Sequence, residues 1–159
     1  MIDGYFALKF IHIVSSAILF GTGLGIAFFM WMAHRTGDAR VVAQTARTVV
    51  IADAVFTASA VVVQLASGLA LAHIAGYSLR ESWLIAALAL YVFVGACWLP
   101  VLWIQLHLRD LARAAADEGR ALPARYRRLF GVWFLLGWPA FLAVLAIFAL
   151  MTWKPALWR

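Results

Sequence analysis

Residues 9–25 read KFIHIVSSAILFGTGLG, an apolar run that still carries a lysine and a histidine three positions apart and then glycine at every second position. What Lys9 and His12 do there depends on the solvent around them. The apolar character extends on both sides, over about residues 5–33, with no alternation at period two. That exceeds the ~20 residues needed to cross a hydrocarbon core of ~30 Å. Lipid offers no partner to unpaired backbone groups, so such a run spans as a helix. Three further runs, about 49–76, 83–108 and 129–153, meet the same criterion. The expectation is an all-α bundle of four transmembrane helices in a single integral membrane domain, 1–159.

Composition agrees. The 159 residues are 66% hydrophobic and 13% charged, with a mean hydropathy of +0.94, against about 25% charged in a soluble domain. The first run is too long and lacks the basic start of a removable signal peptide. Nine of the thirteen Lys and Arg residues fall in segments 34–48 and 109–128. Cations collect on the cytoplasmic side, which predicts two basic cytoplasmic loops, both termini outside, and a multi-pass protein of a bacterial inner (cytoplasmic) membrane. The pI near 10.3 then reflects topology and attraction to anionic lipid, and no nucleic acid partner is implied. Cys97 is the single cysteine, so no intrachain disulfide forms.

Local signals place the ends. Asp38 after Gly37 reads as an N-cap, and Arg40, Gln44 and Arg47 then share a basic face. Residues 76–82, GYSLRES, form a short turn between the second and third spans. Asp110, Arg113 and Asp117 have helical ion-pair spacing, with Gly119 as a C-cap and Pro123 after the stop. Gly21 and Gly25 lie on one face as a small-residue contact for a neighbouring helix, which leaves a homo-oligomer open.

The chemistry-bearing residues are few. Ionisable groups inside a span are functional candidates by default. His12 and His73 reach a similar depth near the outer surface, His34 and His107 near the inner one. Imidazoles on facing helices are haem axial ligands, so the first expectation is haem b with its iron between His12 and His73. Ser16 and Gly23 would lie along the His12 face to receive the flat ring, and Lys9 and Arg80 would meet its propionates. Against this, Asp53, Thr57, Gln64 and Gly68 share one face of the second span, and His73 lies about 160–180° from Asp53 and Gln64. Asp53, Gln64 and Gln105 are a candidate quinone or proton site, and Gln105, Trp98 and Tyr91 share a face of the third span that could line an interior cavity with Gln64. The plain alternative for Asp53 is an ion pair with Arg47, and for the others simple helix packing.

KFIHIVSSAILFGTGLGIAFFMWMAHRTGD and GACWLPVLWIQLHLRDL resemble a bacterial family of four-span integral membrane proteins of unknown function. More remotely, Lys9-x-x-His12, the glycines near 21–23, His34 and Ser67-Gly68-Leu69 resemble HemJ-type protoporphyrinogen oxidases and, through them, CopD-like copper-resistance proteins. That resemblance implies a haem or porphyrin environment around His12. The Pro-Arg pair of the first span and the lysine and histidine of the third are missing here, Ala87 standing near the expected lysine. The functions this leaves are a haem b redox protein exchanging electrons with a quinone or partner protein, a HemJ-like porphyrinogen oxidase, and a non-catalytic accessory or assembly subunit. Scattered methionines make copper the weakest choice.

Overall fold

A computed structural model describes residues 2–158, with side chains from Gly4 onward. The elements are α1 (Ile2–Thr36), α2 (Ala39–Ala52), a π-helical turn (Asp53–Thr57), α3 (Ala58–Ile74), α4 (Ser82–Asp117) and α5 (Ala124–Trp153), with no strand among the described residues. Helix α2, the π-turn and α3 run on as one rod. The chain thus has four helices long and apolar enough to cross a membrane. Their outer faces carry Val62, Val92 and Leu135, which are 68%, 70% and 71% exposed. Side chains of this kind fill the core of a soluble protein, so this exterior belongs against acyl chains.

The ends form as the local chemistry dictates. Gly37 takes the left-handed conformation that stops α1 (φ 67°). One residue on, the Asp38 carboxylate accepts a 2.7 Å hydrogen bond from the Arg40 backbone N–H and starts α2. Gly119 (φ 62°) ends α4 in the same way. Helix α4 has 36 residues, about 54 Å at 1.5 Å per residue, so its last turns run past any bilayer core. There Arg113 meets Asp117 at 3.8 Å and Arg109 meets Asp110 at 2.8 Å.

Packing differs between the two ends. At the end bearing the basic segments, α1, α2, α4 and α5 share a dense core in which Met30, Val42, Leu108 and Tyr126 are fully buried. At the opposite end the rods separate into two pairs, α1 with α3 and α4 with α5. No Cα of α3 lies within 8 Å of one in α4 or α5. Long side chains bridge the gap: Tyr91 donates to the Val61 carbonyl at 2.6 Å, and Phe20 stacks on Phe141 at 5.3 Å. Lys154 closes the turn between α3 and α4, donating to the Tyr77 hydroxyl at 2.7 Å.

Candidate functional site

The α1–α3 pair is held by a polar cluster centred on His12. Its Nδ1 lies 2.9 Å from Ser67 Oγ, and its Nε2 lies 3.1 Å from Gln64 Nε2. Ser15, one turn along α1, donates to Gln64 Oε1. The ring rests on bare backbone: a Cβ on Gly68 would come 3.0 Å from His12 Cε1. Gln64, Ser67 and Gly68 lie within one turn of α3, so a single helix face supplies both hydrogen bonds and the space for the ring.

Following the protons makes the cluster unusual. Ser67 Oγ donates to the Val63 carbonyl at 2.6 Å, so it accepts from His12 Nδ1–H. Gln64 then donates its N–H to an unprotonated Nε2, and Ser15 donates to the amide oxygen. The reverse pattern uses the same heavy atoms. If Ser67 turns its hydrogen to Nδ1 and the Gln64 amide flips, Nε2–H donates to Oε1 and Ser15 turns to the His12 carbonyl, 3.0 Å away. Hydroxyls and carboxamides both donate and accept. Each ring nitrogen therefore faces a partner suited to either tautomer.

A second polar group lies toward the basic end. Asp53 is 3% exposed and Thr57 is 8%. Trp98 donates its indole N–H to Asp53 Oδ1 at 3.3 Å, so the carboxyl is held by an indole rather than by Arg47. The π-turn explains its neighbour. The Ala58 N–H reaches back to the Asp53 carbonyl, and the Thr57 hydroxyl is left buried with no partner. Single π-turns inside α-helices recur at functional sites. Asp53 lies about 17 Å along the rod from Gln64 and faces Trp98 of α4, whereas Gln64 and Ser67 face His12 of α1. Gln105 is 2% exposed on the α4 face that also carries Trp98 and Tyr91.

The other expected residues are not brought to His12. His73 is exposed on the last turn of α3, on the far side from Gln64. Arg80 is exposed in the turn, and Lys9 is exposed with its ammonium over the Tyr5 ring at 5.9 Å. Ser16 donates to its own helix at the Ile13 carbonyl. Gly23 is exposed, and a Cβ there would have nothing within 4 Å. His34 stacks on Phe130 at 3.8 Å, whereas His107 lies over Trp103 and bonds its carbonyl.

This geometry tests the fit of haem. A metal-ligating imidazole carries its second nitrogen on a fixed hydrogen-bond partner. Ser67 supplies that on Nδ1 and leaves the Nε2 lone pair as the ligating atom. That lone pair already accepts from Gln64 at 3.1 Å, so His12 could ligate iron only with the Gln64 amide turned away. His73, exposed on the far side of α3, is not placed to be a second ligand. Sequence reasoning missed Ser15 and put Thr57 on the polar face of the second span without a role. Ser15 lies three residues from His12 and could have been found by helical spacing; the π-turn that isolates Thr57 has no sequence signal.

Fold and site together define a multi-pass α-helical membrane protein with buried polar side chains on its second rod. Residues 6–155 match a family described as predicted integral membrane protein (DUF2269), and the chain belongs to that family. No curated protein and no solved structure matches the chain.

Proposed function

We propose that this protein passes protons within the membrane between Asp53 and His12, in support of a membrane redox reaction. The observation that carries this reading is the pair of interchangeable hydrogen-bond partners on His12. A proton arriving at one ring nitrogen releases the other nitrogen's proton, and flipping the Gln64 amide with the Ser15 and Ser67 hydroxyls restores the start. Asp53 supplies a buried carboxyl further along the same rod. The unpartnered Thr57 hydroxyl between them suits an ordered water, which bridges otherwise unsatisfied buried groups. Intramembrane acids and histidines of this kind mark proton relays. The setting is a bacterial cytoplasmic membrane with the basic segments inside, so Asp53 lies on the cytoplasmic side of His12.

In proteoliposomes with a trapped pH dye and an imposed potassium diffusion potential, the protein should raise proton flux above that of empty vesicles. His12→Ala and Asp53→Asn should each cut the increment at least about tenfold, the span of a general acid–base group being 10²–10⁴. Flux equal to protein-free vesicles sinks the proposal.

A second reading, exclusive of the relay because both use His12 Nε2, is haem b on that atom with the Gln64 amide turned away, favoured by the tautomer that Ser67 holds; haem supplies one-electron chemistry when bound. A quinone is the diffusible alternative. Protein from haem-replete cells should show a Soret band that His12→Ala abolishes; a colourless preparation would exclude the haem.

A further inference from the structure

A groove of about 790 Å³ runs along the outside of the molecule between α1 and α2. Gly21, Gly25 and Phe56 line its deep end, and Gln44, Thr45 and Thr48 its other end. We infer that it holds one acyl chain of an anionic glycerophospholipid, with the headgroup at Arg40 and Arg47.

Length comes first. From Gln44 to Phe56 the groove covers twelve residues of rod, about 18 Å, and one leaflet of a ~30 Å core is about 15 Å. The cavity therefore extends about as far as one acyl chain. Its wall is smooth because Gly21 and Gly25 lack side chains: a Cβ on Gly21 would meet nothing within 4 Å, and one on Gly25 only the Phe29 ring edge at 3.9 Å. The small-residue face expected to receive a neighbouring helix thus meets no other helix of this chain closely and lines the groove instead.

Charge fixes the class of lipid. Arg40 and Arg47 flank Gln44 on the exposed face of α2, and neither has an ion-pair partner among the described residues. Asp38, the nearest acid, is committed to the α2 N-terminus, and Arg35 lies over the Trp31 ring at 5.1 Å. Neither arginine lines the slot, but each adjoins a residue that does, Val41 and Thr48, so two free guanidinium groups stand beside its polar end and complement a phosphate above an acyl chain. A second copy fits less well, because a two-fold contact through this groove would face the arginines of both copies against each other.

The full-length protein, purified in mild detergent, is mixed with phosphatidylglycerol or phosphatidylcholine and examined by native mass spectrometry. One phosphatidylglycerol per chain should persist under conditions that strip phosphatidylcholine. Arg40→Gln with Arg47→Gln should weaken retention about thirtyfold, at about fivefold per cation. Gly21→Leu with Gly25→Leu should abolish it while helix content is unchanged. Equal retention of both lipids, no retained lipid, a retained quinone, or a dimer that the leucine variant disrupts would each overturn the inference.

Discussion

His12 shows how one side chain can be both necessary and costly. An imidazole in a membrane-spanning helix needs partners on both nitrogens, and Ser67 and Gln64 provide them at 2.9 and 3.1 Å. Interhelical hydrogen bonds in lipid contribute about 0.6 kcal/mol on average and at most about 1.7. Ser67→Ala should therefore destabilise the protein by about 1 kcal/mol in reversible unfolding from mixed micelles. Gly68→Ala acts through sterics instead. Its Cβ would come 3.0 Å from His12 Cε1, so the ring must shift and lose its alignment with both partners. The expected cost is about 1–3 kcal/mol, as for other overpacked sites. Stability unchanged in both variants would show that the ring does not rest where it is described. Asp53 presents the same problem with a different solution, since Trp98 offers one N–H where a soluble protein would place an arginine.

At the level of the element, the π-turn Asp53–Thr57 decides what the second rod can present. A wide turn absorbs one extra residue, and the helices on either side stay in phase across it. Deleting Val55, which is 54% exposed, should close the turn to ordinary α-helix and keep Gln64 facing α1. Inserting an alanine after Val61 should instead rotate Gln64 by about 100° and break the cluster. Disulfide formation between Ser15→Cys and Gln64→Cys in a Cys97→Ala background checks both. Cross-linking should survive the deletion and vanish with the insertion. The reverse result would mean that the π-turn sets the phase of α3.

Across the whole molecule, the uneven packing predicts uneven dynamics. The basic end has a shared core with Met30, Val42, Leu108 and Tyr126 sealed inside. The other end has two helix pairs joined by Tyr91, by phenylalanine stacks and by a small buried cluster of Ala72, Trp83 and Leu84. Regions with few buried apolar contacts open locally at lower free energy. In lipid nanodiscs, amides of α3 beyond Gln64 should exchange hydrogen faster than those of α2 and of α4 around Leu108. Uniform protection along both rods would contradict the two-pair description of that end.

The amino-acid order alone settled the number of spans, the all-helical class and the caps, because lipid demands long apolar helices and because Gly37, Asp38 and Gly119 act through their own backbone geometry. It also set His73 apart from Gln64 and Gly68, since 100° per residue is a local rule, but the π-turn breaks that count between Asp53 and Gln64. Partner choice lay beyond it. That Asp53 meets Trp98 instead of Arg47, that His12 meets Ser67 and Gln64, and that the Gly21–Gly25 face stays open depend on which rods touch and at what height. Those contacts join residues up to fifty-five positions apart, and helical periodicity carries no information about them.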